Sequence, residues 1–301
     1  MKCNLVKNLG ATIIDITNIL NQVEYSSSVE QGVVTLNLSV VNDKTTNIEV
    51  GDVIQYEDTN FNFHGQVQID ENSNKQEILK YEVVDFMSHW TRSKTTKVVN
   101  STPEDVAKEL CAYLGMAQGP IATTGIATGE RAYQGKSFYD IVVDLYKRAG
   151  AENGKEYVIR AEGASFTVKE KGEVINYIIS DTLNLTKVTH KRDMSNMVNR
   201  VVVYDDSNNK IDEKSLDIVN QVGVYQEVAN KDANLDEILK DIEDTLEVEG
   251  IGDNLCQSGK YIRFKDNETN KHGIYEITED QHTITTDGHT MKLRLKFIRT
   301  E

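Results

Sequence analysis

A segment near the start of the chain has a diverged second copy near its end, and this internal repeat is the strongest constraint on the fold. Residues 51–70 read GDVIQYEDTNFNFHGQVQID, and residues 259–278 read GKYIRFKDNETNKHGIYEIT. Each segment reads as a strand, a polar turn and a second strand. A chain that carries one β-unit twice can double its own symmetry when it oligomerises. Aligned without a gap, the segments share Gly51 with Gly259, Ile54 with Ile262, Asp58 with Asp266, His64 with His272, Gly65 with Gly273 and Ile69 with Ile277.

Length, charge and cysteine content narrow the class of protein. The 301 residues are enough for two or three domains. A net charge of -15 predicts no grip on a phosphate backbone, because that binding needs clustered Lys and Arg. The cysteines Cys3, Cys111 and Cys256 are too far apart for a disulfide framework or a zinc site, so we expect a reducing compartment. We also expect no membrane anchor and no secretory signal, since no apolar run has the length that either requires.

The first part of the chain, over residues 12–92, is rich in strand patterns. Alternation over residues 33–40 places Val34, Leu36, Leu38 and Val40 on one face. Several short strands separated by polar turns indicate a small antiparallel barrel or sandwich.

The pattern then changes to that of a small α+β domain. Residues 101–105 combine a hydroxyl cap, a proline and two acids, which is typical of a helix start. We predict helices from there to Gly115 and from Ser137 to Gly150, with a glycine-rich loop between them. Two short strands follow, at 156–160 and 165–169.

Strand patterns return after residue 183 and continue to the end of the chain. Residues 196–204 form a strong strand pattern, and residues 287–288 predict a hairpin turn before a last strand over 289–298. The spacing of Leu235, Ile238, Leu239, Ile242 and Leu246 predicts an acidic amphipathic helix over 232–249. The order is a β-unit, an α+β insert and a β-unit, with predicted domains 1–95, 96–182 and 183–301.

Catalytic and metal-binding patterns are weak in this sequence. There is no nucleophile elbow and no activated-cysteine signature, and we expect Cys111 to be a buried structural thiol. His282 and His289 flank the last turn and could face each other across a hairpin, but they lack the companions of a metal site. We therefore predict no enzyme, no catalytic residue, no metal and no cofactor.

Three longer segments together carry a resemblance to a known family. They are SFYDIVVDLY at 137–146, MVNRVVVY at 197–204, and GIYEIT at 273–278 with the His282 and 288–295 region after it. In this order they resemble the baseplate hub proteins of contractile phage tails and of phage-tail-like bacteriocins. The resemblance implies two tail-tube-like antiparallel β-barrels flanking a small α+β domain, within a mainly β fold.

The resemblance also implies a function and a set of partners. In the family, three subunits form a ring that adapts the hexameric tail tube to the trimeric central spike. We therefore expect a homotrimer that contacts the tail tube protein, the central spike protein and the tape-measure protein. Its place is the baseplate of a virion or phage-tail-like particle that is assembled in a bacterial cytoplasm.

The last strand carries the one candidate interface that the sequence marks. Lys292, Arg294 and Lys296 alternate with Leu293, Leu295 and Phe297, which predicts a half-buried strand with a basic outer edge. This edge is either a contact between subunits or a solvated strand face.

Two other functions stay open at this point. A cell-wall hydrolase of the same tail needs a clustered acid pair or a Cys/His constellation, and peptidoglycan zymography would detect it. A glycan- or receptor-binding module needs exposed loop aromatics, and binding to a glycan array would favour it.

Overall fold

The computed structural model describes residues 1–72, 76–205, 207–231 and 233–300. They form two compact units, which are Met1–Lys187 with Val248–Glu301, and Val188–Glu247. The predicted fold class, mainly β with an α+β insert, is confirmed. Among the described residues, no helix is long and apolar enough to cross a membrane. The predicted domain boundaries after residues 95 and 182 stay a prediction.

The first seven strands belong to the main sheet. In the fourth of them Leu36, Leu38 and Val40 are buried, as the alternation predicted, and they pack in one core with Tyr25 and Tyr56. Two short 3-10 turns, Asn8–Gly10 and Thr17–Ile19, lie between the early strands. The strands are β1 (Lys2–Lys7), β2 (Thr12–Asp15), β3 (Leu20–Ser28), β4 (Thr35–Val41), β5 (Val53–Asp58), β6 (Phe61–Asp70) and β7 (Ile78–Asp85).

The insert packs three helices against short strands around Trp90, which stacks on Phe166 at a centroid distance of 4.1 Å. The hydroxyl of Thr102 accepts the Asp105 N–H at 3.3 Å, which caps the second helix as predicted. The elements are α1 (Met87–Arg92), β8 (Lys94–Val99), α2 (Pro103–Leu114), β9 (Ala117–Ile121), β10 (Arg131–Ser137), α3 (Phe138–Asn153), β11 (Tyr157–Glu162) and β12 (Ser165–Glu170). Strand β9 lies inside the predicted loop, where it pairs in parallel with β12.

Helix α3 begins where the sequence predicts and ends later. Ser137 caps its start by accepting the Asp140 N–H at 3.0 Å. The predicted end at Gly150 is wrong, because the helix continues to Asn153 and stops at Gly154, which has a φ of 73°. Gly150 is buried inside the helix, where an added Cβ would lie 2.3 Å from a backbone oxygen of Lys155. Close packing, not helix termination, therefore requires this glycine.

The rest of the chain is again mostly strand. Val201 and Val203 form a small core with Ala229 in the unit Val188–Glu247. The elements are β13 (Val174–Ser180), β14 (Leu185–Asp193), β15 (Arg200–Tyr204), β16 (Lys210–Ser215), α4 (Val219–Val222), β17 (Gln226–Asn230), α5 (Leu235–Ile238), β18 (Glu243–Ile251), β19 (Tyr261–Asp266), β20 (Lys271–Thr285) and β21 (Gly288–Arg299).

The predicted helix over 232–249 is wrong beyond its first turn. Its first residue, Asp232, lies outside the described residues, and only α5 is helical. At Leu239 the backbone is already extended, with a ψ of 130°, and residues from Glu243 form β18. Leu246 and Val248 are buried in β18, so this stretch also fits a period of two. Strand pairing selects that period over the helical one.

The two halves of the main sheet repeat one order of strands. The first repeat runs β3-β4-β7-β6-β5, and the second repeat runs β14-β18-β21-β20-β19. Each strand of the first repeat has a counterpart at the same place in the second, although β15, β16 and β17 interrupt the second in sequence. Across the described residues these ladders form an open path, so closure into two barrels stays a prediction.

The predicted strand-turn-strand units open in the same way in both repeats. Gly51 has a φ of 93° and donates its N–H to the oxygen of Val67 at 2.9 Å. Gly259 has a φ of 82° and donates its N–H to the oxygen of Ile277 at 2.8 Å. A β-bulge follows Val67 in β6 and Ile277 in β20. These shared features make Val67 and Ile277 structural equivalents.

The gap-free alignment of the two segments is wrong in its second half. The turn after β5 is formed by residues 59–60, whereas the turn after β19 is formed by residues 267–270. Because the second turn is longer, Gly65 pairs with Ile54 but Gly273 pairs with Phe264. The shared histidines and glycines of the second strand therefore do not occupy equivalent ladder positions.

Candidate functional site

The joint between the two repeats holds a polar site whose residues come from separate parts of the chain. Strand β20 pairs with β19 in its first part and with β3 in its second part, where Glu279 lies opposite Ser28 and Thr285 opposite Gln22. One long strand therefore belongs to both repeats. We refer to the β3·β20 ladder as the repeat joint.

Asp280 is the centre of the repeat joint and is 3% exposed. Its Oδ1 accepts a hydrogen bond from the Ser27 hydroxyl at 2.5 Å and another from the Ser258 N–H at 2.7 Å. Burial raises the pKa of this carboxyl to about 6. The three residues come from β3, from β20 and from the segment before β19, so the carboxyl ties separate parts of the chain together.

His282 and His289 do face each other across the last hairpin. The distance from His282 Nδ1 to His289 Nε2 is 2.9 Å, and His282 Nε2 lies 2.9 Å from the oxygen of Cys256. Because a carbonyl oxygen only accepts, Nε2 of His282 carries the proton and its Nδ1 accepts from His289. Burial lowers the pKa of both rings to about 4, so both are neutral near pH 7.

The ring of His282 also stacks on Tyr25 of β3, with centroids 4.5 Å apart. The Tyr25 hydroxyl donates to Asn254 Oδ1 at 2.6 Å. Both nitrogens of His282 are occupied, and the Ser27 hydroxyl bonds to Asp280 instead of a histidine. This arrangement crosslinks strands and does not present a serine to a base.

A cavity of about 750 Å³ lies beside the repeat joint. Its wall combines Ser27 and Asp280 of the joint with Arg160 and Glu162 of the insert and with Lys260. Burial lowers the pKa of the Lys260 amine, and the positive charge of the nearby Arg160 also lowers it. Acidic side chains outnumber basic ones on this wall, and both kinds are present.

Metal ligands do not converge in the described part of the chain. Within those ranges, no three His, Cys, Asp or Glu side chains are grouped in a way that could hold an ion. The cysteines Cys3, Cys111 and Cys256 are buried and free, as expected for Cys111. Burial raises the pKa of Cys111 to about 11, which keeps it a thiol.

The predicted basic edge lies on β21. Lys292 and Lys296 are exposed, while Leu293 and Leu295 are buried, as the alternation predicted. Phe297 is 50% exposed, contrary to the prediction, because it lies near the strand end, where it packs edge-on against Tyr275. Arg294 is not a free charge, since its Nη1 lies 2.6 Å from Glu279 Oε1. Whether this edge contacts another subunit stays a prediction.

A known family covers most of the chain. The family described as YQBQ-like matches residues 23–296. The chain belongs to the YQBQ-like family. The match spans both repeats and the insert. No curated protein sequence matches this YQBQ-like chain.

Solved tail proteins share the fold of the YQBQ-like chain. The 43 kDa tail protein of prophage MuSo2 from Shewanella oneidensis is 9% identical with a TM-score of 0.73, and the match covers 98% of each chain. The tail protein from Neisseria meningitidis MC58 is 12% identical with a TM-score of 0.71, covering 99% of this chain and 97% of that one. The E. coli c3393 protein, a component of the type VI secretion system described as structurally similar to the T4 tail proteins gp27 and gp5, is 11% identical with a TM-score of 0.59 and coverages of 93% and 74%. At these identities the likeness shows a phage tail-type fold.

Apart from the two histidines, no sequence pattern predicted the repeat joint. Ser27 and Asp280 are 253 residues apart, and neither belongs to a motif. A serine in a strand is ordinary, and an aspartate in an acidic chain is not distinctive. Only the pairing of β3 with β20 brings these groups together.

Proposed function

We propose that this YQBQ-like protein is the structural baseplate hub of a contractile tail. Three copies form a ring that adapts the hexameric tail tube to the trimeric central spike, with the tape-measure protein as a further partner. The protein acts in the baseplate of a virion or phage-tail-like particle and is assembled in a bacterial cytoplasm. We propose a structural role and no enzymatic one.

The observation that carries this proposal is the shared strand order of the two repeats. A trimer of chains with two such repeats presents six similar sheets around a threefold axis. A sixfold tube can then rest on one side and a threefold spike on the other. The phage tail-type fold and the strand-tying chemistry of the repeat joint support the same role.

The proposal is tested by the mass of the assembled protein. Light scattering of the purified chain, alone and with its spike protein, should give the mass of a trimer in at least one case. Electron microscopy of that species should show a ring with six similar lobes. A protein that stays monomeric with its spike, or a ring of another order, would overturn the proposal. Peptidoglycan zymography separately tests the hydrolase alternative.

A further inference from the structure

The repeat joint shows how one repeat meets the next. In it, the end of β20 pairs antiparallel with β3 from the other repeat, over Glu279 to Thr285. The N–H of Val29 continues the ladder by donating to the oxygen of Thr278 at 3.0 Å. Aromatic stacking and buried hydrogen bonds reinforce this ladder. It therefore joins one repeat to its neighbour by strand pairing.

The counterparts of these two strands do not meet within one chain. The counterpart of β3 is β14, and the counterpart of β20 is β6. In the described part of the chain, β14 pairs with β18 alone and ends the order of the main sheet. On the other strand, the bulge makes Ile69 equivalent to Glu279 and Asp70 equivalent to Asp280. Among the described residues, β14 is thus an edge strand. Within the same ranges, the end of β6, which corresponds to the part of β20 that pairs with β3, has no strand paired at the equivalent edge.

We propose that these two leftover segments pair between neighbouring subunits. In this contact, β14 of one copy lies beside the end of β6 in a second copy of the chain, over Ile69 to Asn72. The contact imitates the repeat joint, so each repeat in the ring meets the next in a similar way. This inference rests on the proposed trimeric ring, and it names the surface that closes it.

The charges of the two segments are complementary. Strand β14 carries Lys187, Lys191 and Arg192 against the single acid Asp193 within its nine residues, in a chain whose net charge is -15. The end of β6 carries Asp70 and Glu71, both exposed, and Glu77 lies exposed before β7. A basic edge facing an acidic one favours association and fixes the direction of a head-to-tail contact. Ile69 is 48% exposed and adds an apolar side chain at the same place.

The basic side chains of β14 also have partners within their own chain. Lys187 Nζ lies 3.2 Å from Glu249 Oε1, Lys191 Nζ lies 2.8 Å from Asp193 Oδ2, and Arg192 Nε lies 3.9 Å from Asp244 Oδ2. These pairs lie at the surface, where an ion pair contributes little and can exchange partners. The backbone edge of β14 is independent of those pairs. Strand pairing and charge therefore act together in the proposed contact.

Charge reversal tests the contact directly. We expect Lys191→Glu with Arg192→Glu to weaken association of the ring at least about tenfold in sedimentation equilibrium, and Asp70→Lys with Glu71→Lys to do the same. The four changes together restore the complementary charges and should return the association to within about threefold of the original protein. Lys108→Glu with Lys136→Glu is the matched control, because it makes the same charge change on the insert and should leave the mass unchanged.

A crosslink provides a second measurement that does not depend on charge. Matching the nine-residue strands β3 and β14 end to end makes Lys191 the counterpart of Ser26, and Glu71 the counterpart of Gln281. Under oxidation, Glu71→Cys with Lys191→Cys should give covalent dimers and trimers, while each single variant stays monomeric on a non-reducing gel. Unchanged association in both reversed variants, with no crosslink, overturns this contact while the ring stands. If the wild-type chain never forms the ring, that result would instead overturn the proposed function and this contact together.

Discussion

Asp280 makes the stability of the protein depend on pH in a defined direction. Its pKa is about 6 in the fold, above the value of about 3.9 of an unfolded chain. The folded state therefore binds this proton more tightly, and the contribution of Asp280 to the free energy of unfolding falls as pH rises through 6. We expect Asp280→Asn to gain about 2 to 3 kcal/mol relative to the original protein between about pH 4 and pH 7.

Urea unfolding across that pH range measures this difference. Asp287→Asn is the control, because Asp287 is exposed in the last hairpin turn. At each pH, the free energy of unfolding of a variant is subtracted from that of the original protein. This difference cancels the contributions of other titrating groups, such as Asp85, whose pKa burial raises to about 8. A difference for Asp280→Asn that does not change with pH would contradict the assignment.

Gly252 is required by the histidine pair at the last hairpin. A Cβ at this position would lie 2.1 Å from Cδ2 of His289, so the ring would have to leave its contact with His282. We expect Gly252→Ala to lower the free energy of unfolding by about 1 to 3 kcal/mol, measured by chemical denaturation. In the double variant Gly252→Ala with His289→Ala, the clash is absent and the two losses should not add. Additive losses would show that the steric explanation is incorrect.

At the scale of the elements, the opening glycines of the two repeats offer a paired experiment. Gly51 has open space where a Cβ would stand, so Gly51→Ala strains only the backbone, by about 1 to 2 kcal/mol. At Gly259 the Cβ would also lie 2.8 Å from Cγ2 of Val158, so Gly259→Ala should lower the free energy of unfolding further. In a chain that already carries Val158→Ala, the Cγ2 atom is absent. Gly259→Ala should therefore lower the free energy of unfolding by less in that chain than in the original protein. The experiment consists of thermal and urea unfolding of Gly51→Ala, Gly259→Ala, Val158→Ala and the double variant of Gly259→Ala with Val158→Ala.

Asparagine provides the control for backbone strain at these glycines. It tolerates positive φ better than alanine, so Gly51→Asn should cost less than Gly51→Ala. Equal losses for the two substitutions would mean that the conformation at Gly51 is not what limits stability.

The helix starts of the insert were predictable because their signals are local. Thr102 and Ser137 each bond the N–H three residues ahead, which the sequence shows directly. The end of α3 was not predictable, since Gly150 is small for packing, and packing depends on Lys155 of the following segment. The stretch before Ile251 was not predictable either. Its apolar residues fit the helical period up to Leu246, whereas Leu246 and Val248 fit a period of two, and a neighbouring strand decides between the two periods.

At the scale of the whole molecule, repetition was visible in the sequence but its register was not. The glycines that open the hairpins matched because positive φ restricts their identity. The second strands were misaligned because turn length is free to drift between copies. The polar residues of the repeat joint could not be predicted at all. Their partners come from opposite ends of the chain, and no spacing rule links them.

The basic edge of β21 gives a prediction for the assembled particle. We expect Lys292→Glu, Arg294→Glu and Lys296→Glu together to reduce assembly, if this edge contacts an acidic neighbour. The measurement is the fraction of chain in the ring by sedimentation velocity, with circular dichroism to check folding. Because Arg294 bonds to Glu279, the variant with only Lys292 and Lys296 reversed separates loss of that bond from loss of the contact. Intact assembly in both variants would identify the edge as a solvated strand face.

The continuity of β20 has a consequence for how fast such a ring can form. Since this strand serves both repeats, half of the proposed lobe-to-lobe contacts exist as soon as a single chain has folded. Only the other half must wait for molecules to collide, and every collision delivers two lobes already fixed in orientation. A ring built from separate single-repeat chains would have twice as many contacts to form between molecules, and it would have no built-in means to alternate its lobes.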